Sequence, residues 1–328
     1  MNPSETPPPS IPAASAATDG TVPAGFAGLT RLADWGVIRA AGADARRFLH
    51  GQLTQDVEHL ALEQARLAGF CSAKGRLQAS FVIWRDGDDD VLLACSADLL
   101  AATLKRLSMF VLRAKCKLSD ASAEVPLWGL AGAAPQTAGE VWSHCSVEGQ
   151  TVLRLPDALV DGTRIERRLV AGDTPPDAPT AAPGSWAWLE VHSGVPRIVA
   201  ATAELFVPQM VNLDLVGGVD FQKGCYPGQE VVARSQYRGT LKRRAQVLTG
   251  GARLAPAAEI FHSADPDQPA GRVVLGAEFA GRCAVLAELK LAALDAGALS
   301  PAPSDQAGSE PAVLALVPLL YPIPVEQG

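Results

Sequence analysis

The sequence has no closely spaced cysteine pair. Its six cysteines (Cys71, Cys95, Cys116, Cys145, Cys225 and Cys283) include no CxxC or CxxxC. A zinc site, a self-contained cluster site and the disulfide framework of a secreted domain therefore all lack their usual ligand spacing. No apolar run reaches the ~18 residues of a membrane helix, and no charged-then-apolar region opens the chain. Basic excess is missing too: the net charge of −7 argues against non-specific nucleic-acid binding through a basic face. The triplet Lys242-Arg243-Arg244 is the best local basic patch and equally suits a solvated strand end. The setting expected is a reducing cytoplasm and the state a monomer. No stably bound metal, membrane or direct nucleic-acid partner is expected.

What is present is a globular chain. Its 328 residues, 48% of them hydrophobic, suffice for two or three domains with sizeable cores. Residues 1–24, with Pro7-Pro8-Pro9, read as a flexible leader. Asp34 to Ile38 alternates as a strand, and Asp44 is placed to cap a helix carrying Phe48, Leu49 and Leu53. Leu77 to Trp84 reads as a strand, turned at Asp86-Gly87 and returned by Val91 to Cys95. Ser96 or Asp98 caps a helix through Leu99, Leu100, Leu104, Leu107 and Phe110, whose stripe is core. Val111 to Leu118 alternates basic and apolar and predicts a strand with one wet face. This order of elements suggests an α+β, ferredoxin-like unit.

Short strands dominate from Pro126 to Val170, followed by a proline-rich linker from Ala171 to Ser185. Ser185 caps a short helix with Trp186, Trp188, Leu189 and Val191, closed by Gly194 and Pro196. After Arg244 the pattern changes to strands at Ala245–Leu248, Gly271–Phe279 and Cys283–Leu289, which read as a small β-barrel. Ser300 to Pro311 is a polar excursion before a last apolar strand, Ala312 to Leu320.

One stretch organises the rest: Lys223-Gly224-Cys225-Tyr226-Pro227-Gly228-Gln229-Glu230. Two glycines and a proline predict a tight loop rather than a helix or central strand. Lys223 close to Cys225 would favour its thiolate. Otherwise the cysteine is a small core hydrophobe in a turn. Lys-Gly-Cys-Tyr-x-Gly-Gln-Glu, followed by Val-Val-Ala-Arg234, resembles the signature of the YgfZ family. These are folate-binding-type proteins related to the glycine-cleavage T-protein, and they support iron–sulfur enzymes, including one that thiomethylates tRNA. The resemblance covers roughly residues 29–295 and is tightest from Phe206 to Arg244.

That resemblance implies an α+β, T-protein-like fold. Two interleaved subdomains would span residues 25–240 around a central folate-type cavity, with a C-terminal barrel over 241–328. Cys225 is then the reactive group and Lys223 its electrostatic activator. Gly224 and Gly228 shape the loop, and Tyr226, Gln229 and Glu230 fix it by hydrogen bonds. Arg234 contacts the loop or an anion, or forms a surface ion pair. Candidates to meet tetrahydrofolate or a derivative are Gln52, Asp56, Lys74, Arg76, Trp188 and His192. Gln52 and Asp56 also suit helix-end polar groups, and Lys74 and Arg76 suit solvated charges. The family's pre-signature helix usually ends in an arginine and a glutamate; Glu190 and His192 stand there instead.

Three functional readings follow. A cysteine hydrolase needs a histidine base near Cys225, and the chain offers His50, His59, His144, His192 and His262. A T-protein-type aminomethyltransferase would use tetrahydrofolate. An accessory factor for iron–sulfur assembly or repair would use the thiol transiently, with iron–sulfur enzymes or assembly proteins as partners, because one cysteine cannot hold a cluster that takes four thiolates. A non-catalytic interaction module is the plainest competitor.

Overall fold

The computed structural model describes residues 22–132, 139–147, 149–173, 177–237, 241–301 and 313–324. Most of the leader and most of the Ser300–Pro311 excursion lie outside these residues. The chain runs through β1 (Gly28–Arg31), β2 (Trp35–Ala41), α1 (Ala45–His50), β3 (Ala65–Cys71), β4 (Leu77–Asp86) and β5 (Asp90–Ser96). Next come α2 (Ala97–Val111), β6 (Lys117–Asp120), β7 (Leu127–Ala131), β8 (His144–Val147), β9 (Gln150–Val160) and β10 (Thr163–Ala171). The second half holds α3 (Ser185–His192), α4 (Gln229–Tyr237), β11 (Arg243–Gly250), β12 (Glu259–His262) and β13 (Asp265–Phe279). It closes with β14 (Arg282–Lys290), β15 (Leu299–Ser300) and β16 (Ala315–Val317).

Three sheets result. The first has order β3-β4-β5-β2-β6 and carries α2 against it. Its members β2, β4, β5 and β6, with α1 and α2, follow a βαββαβ path, with β3 added at the edge. The second has order β1-β7-β10-β9-β8, so the first strand pairs with a segment about a hundred residues later (Gly28 opposite Ala131). The two sheets are thus interleaved along the chain. The third, β15-β12-β13-β14-β11-β16, holds the C-terminal strands. Among the described residues a single isolated bridge, Leu299 with Leu314, joins its two edges.

The alternating and apolar stretches became the expected elements wherever one face could be buried. Val37, Ile38, Ile83, Leu93 and Leu107 are fully or almost fully enclosed in the main core. Two local expectations fail. The stretch Val111–Leu118 is not one strand: α2 continues through Val111, and Leu112, at φ 44°, ends it in the left-handed region. The segment pairs with β2 only from Lys117 onward. Nor do Asp44, Ser96 and Ser185 cap their helices with their side chains; Ser185 is the first residue of α3, after Gly184 at the N-cap. Asp44 accepts instead from the Lys115 amide (2.7 Å), and the Ser96 hydroxyl accepts from Arg197 (3.0 Å). Distant donors outcompete the local cap.

The third sheet is locked to the rest by a buried polar joint. Arg244 on β11 donates to Asp214 (2.7 Å) and to the Gln209 carbonyl (2.9 Å). Asn212, at φ 60°, donates to the Ala245 carbonyl (2.8 Å) and meets the Tyr321 hydroxyl, which donates to the Gly194 carbonyl. Removing one member of a buried ion pair strands the other. Arg244→Met should therefore lower unfolding stability by about 3–5 kcal/mol in denaturant titrations; a loss below about 1 kcal/mol would show that the joint is not structural.

Candidate functional site

The segment leading into the signature is laid along the chain just past α1 by two side-chain hydrogen bonds and one backbone bond. Thr54 donates to the Gly218 carbonyl (2.6 Å), Gln55 to the Gly217 carbonyl (2.6 Å), and the Asp220 amide to the Thr54 carbonyl (2.9 Å). Asp220 then turns the chain by accepting from the Gln222 and Lys223 amides (2.8 and 3.1 Å). That turn aims Lys223 inward. Its ammonium donates to the His50 carbonyl and to the Leu53 carbonyl (2.8 Å), and lies 5.0 Å from the Tyr226 ring centre. These are carbonyls at and just past the end of α1, the groups a helix leaves unsatisfied. Burial pushes the Lys223 ammonium down to about 8, against the opposing pull of Asp56, Asp220 and Cys225.

The other half of the loop is set by glycine against glycine. Gly228 sits at φ 80°, and a Cβ there would lie 2.3 Å from the Ser72 carbonyl oxygen and 2.7 Å from Gly75. Gly75, at φ 69°, in turn faces Val231 and the Gly228 carbonyl. The Ser72–Arg76 turn and the signature loop are therefore in backbone contact. Tyr226 is buried, whereas Gly224 and Cys225 are exposed. Cys225 is not a core cysteine.

The remaining cysteines differ. Burial pushes the Cys71 and Cys95 thiols up to about 12, and burial with Asp44 and Asp90 nearby pushes Cys116 to about 11. Cys283 is buried. Cys145 is exposed on β8, its thiol 3.8 Å from the Val152 carbonyl. Cys225 alone combines exposure with a loop of constrained shape.

Gln229 and Glu230 do not brace the loop by side-chain hydrogen bonds; they start α4, whose first turn they form. Val231-Val232-Ala233 continue that helix, and Arg234 is exposed on it, with no ion pair to a described residue. Asp56 lies beside the loop but is held by histidines: it meets His50 Nδ1 (2.9 Å) and His59 Nδ1 (2.9 Å), and accepts from the His59 amide (3.1 Å). Burial opposes ionisation, but the His59 bonds and the His59 and Arg66 charges hold its carboxyl below the usual range. Gln52 follows α1, its Oε1 buried without a partner among the described residues. Lys74 is exposed, and Arg76 donates to the Leu205 carbonyl beside a cleft shared with Arg243, Arg272 and Lys290.

Trp188 and His192 lie apart from this group. They stack on each other (ring centres 4.6 Å apart), and His192 Nδ1 bonds the Trp188 carbonyl (2.9 Å). Burial lowers the His192 pKa. Between the first two sheets and the end of α3 lies a separate cavity of about 30 Å³, lined by none of the predicted folate residues. Its polar wall is Arg167, Glu190 and Arg197, faced by Trp35 and Trp142. Arg197 grips Glu190 through two bonds (2.5 and 3.0 Å) and Asp34 through a third (2.7 Å). Arg167 donates through Nε to the Pro156 carbonyl (3.0 Å); its terminal nitrogens find no partner among the described residues. Burial pushes Arg167 down to about 10. The donors suit a polar heterocycle, but the space takes about two waters, not a pteridine. This cavity does not fit a folate ring in this conformation.

No family model matches the chain. It is similar to the tRNA-modifying protein YgfZ of Edwardsiella ictaluri, with 36% identity over 253 residues, covering 70% of this chain and 72% of the relative. The protein of the same name from Escherichia coli is 33% identical over 243 residues, covering 70% and 74%. Among solved structures, the glycine cleavage system aminomethyltransferase T from Bartonella henselae superposes with TM-score 0.68 at 13% identity, covering 90% of this chain and 87% of that one. That likeness is one of fold.

Two expectations follow from the loop geometry. Gly228→Ala must force a side chain into the Ser72 carbonyl at a left-handed φ, and should cost more than about 1 kcal/mol in denaturant unfolding; a neutral substitution would contradict the backbone contact. Lys223 releases its proton near pH 8 in the folded chain, against an ordinary value of 10.5. The unfolded state therefore binds more protons between those values, and this site's contribution to stability rises with pH across them. Unfolding of the wild type should show that slope and Lys223→Met should lack it; identical pH dependence would contradict the burial of the ammonium.

Proposed function

The chain belongs to the family of the tRNA-modifying protein YgfZ, and from that premise we propose that it is an accessory protein for iron–sulfur enzymes, including those that modify tRNA. Cys225 is its working group. The observation that carries this reading is the exposed thiol on a loop shaped by a buried lysine and a glycine–glycine contact. Such a thiolate can engage a partner's sulfur or a cluster in transit and release it, which a cysteine inside a core cannot. Stable cluster binding would need further thiolates from another protein.

Lys223 serves this site first as a clamp and second as a positive charge near Cys225. Folate is the ligand class implied by family and fold. A T-protein-type aminomethyl transfer is the second reading, favoured by the fold; the small size of the cavity beside α3 weighs against it.

In cells lacking the protein, Cys225→Ala should leave cluster-dependent tRNA modification at the level of the empty strain, while Cys145→Ser restores it. Full restoration by Cys225→Ala removes the thiol from the function. Calorimetry of the purified chain with tetrahydrofolate tests the ligand: binding requires the cavity wall to open and should weaken in Arg167→Met. Tight binding unaffected by that change would place folate elsewhere.

A further inference from the structure

The signature loop rests on a histidine that neither the motif nor the family resemblance pointed to. His50 ends α1, and its carbonyl receives the Lys223 ammonium. Its ring is therefore tethered to the loop through its own backbone. A Cβ built on Gly224 would have His50 Nε2 at 3.5 Å and nothing else within 4 Å. The imidazole edge thus faces the residue immediately before Cys225, and the glycine leaves that edge uncovered.

His50 Nδ1 lies 2.9 Å from Asp56 Oδ1, with the Glu58 amide farther off at 3.5 Å. A carboxylate only accepts, so the shorter contact puts the proton on Nδ1 and leaves the lone pair on Nε2. Asp56 is itself held by the His59 amide and ring, and its carbonyl accepts from Arg66. The charged or titratable groups around the ring are Asp56, His59, Arg66 and Lys223, with Asp220 behind the loop. The His50 side chain keeps 16% of its surface exposed, so its free nitrogen can reach solvent or a partner.

We infer that His50, oriented by Asp56, is the proton acceptor and donor for Cys225 during exchange with a partner's sulfur–sulfur bond. The inference rests on Cys225 being the reactive group, as proposed above. In the resting loop no hydrogen bond joins thiol and ring, so the transfer runs through a bridging water or a small loop adjustment. The thiol proton passes to His50 Nε2 as the thiolate attacks one sulfur of a partner disulfide or persulfide. The partner's S–S bond breaks, its electron pair leaves on the departing sulfur, and that thiolate takes the proton back from Nε2. With a partner disulfide Cys225 ends in a mixed disulfide; with a persulfide attacked at its outer sulfur Cys225 ends carrying that sulfur as its own persulfide. In both cases the partner's departing sulfur ends as a thiol, and no outside oxidant enters. Asp56 acts as a positioning residue.

The test is the rate at which Cys225 reacts with 2,2′-dithiodipyridine as a function of pH, in full-length protein carrying Cys145→Ser to silence the other exposed thiol. His50→Gln should slow the reaction at neutral pH by roughly 10-fold and change the shape of the pH–rate profile. Gly224→Ala, which covers Nε2 without changing any ionisable group, should slow it while keeping the parent's profile shape. Asp56→Asn should lower the neutral-pH rate, and if it fails to fold, His50→Gln carries the test. A His50→Gln profile that superimposes on the parent overturns the inference. Its failure is separable from that of the proposed function: the first is read in the pH profile, the second in cells carrying Cys225→Ala.

Discussion

An ammonium group taken out of water must find oxygen, and Lys223 finds it at the end of α1. That helix is six residues long; the amides of Gly51, Gln52 and Leu53 answer its Arg47, Phe48 and Leu49 carbonyls, and Lys223 answers the His50 carbonyl. The demand runs both ways: the helix end needs donors, and the lysine needs acceptors to offset burial. Satisfying both draws the signature loop onto residues 50–56, although Lys223 and His50 are 173 positions apart in sequence. Much of the site follows. Tyr226 packs beneath the charge, Asp220 makes the entering turn, and Cys225 is left on the outer side.

A second constraint acts at the far end of the loop, where Gly75 and Gly228 bring two backbones closer than any side chain allows. Together the two contacts hold the loop at both ends. The structure therefore separates two kinds of cysteine by physics rather than by motif. Buried thiols such as Cys71 and Cys95 resist ionisation, because the interior cannot solvate the anion. Cys225 stands outside the core, exposed on its loop.

The shared fold with an aminomethyltransferase does not carry the ligand with it. The cavity between the first two sheets and the end of α3 is narrow, and the Arg197–Glu190 pair forms part of its wall. Glu190, which looked like a departure from the family's helix pattern, is answered by an arginine seven residues on, outside the helix. The pair buries both charges against each other, and Arg197 also stacks over Trp35 at 4.8 Å. Arg167 remains the group whose hydrogen-bonding capacity is unspent on described residues.

Several features could be read from the sequence alone because they depend on near neighbours. The apolar stripe of α2, the β4–β5 hairpin and the strands β11, β13 and β14 follow local periodicity, which needs only a buried face to be realised. The tight turn at Gly224–Gly228 is likewise local chemistry, whereas Cys225 stood out only through the resemblance of its loop to a family signature. Tertiary structure decided what lies across from these elements. It chose His50 over His192 as the histidine at the loop, turned Lys223 inward, and put Asp56 on two imidazoles. It also placed Trp188 and His192 together in the core, away from the thiol. The reason is that a buried charge selects its partners by distance and solvation, and both are set only when segments far apart in the chain have closed around it.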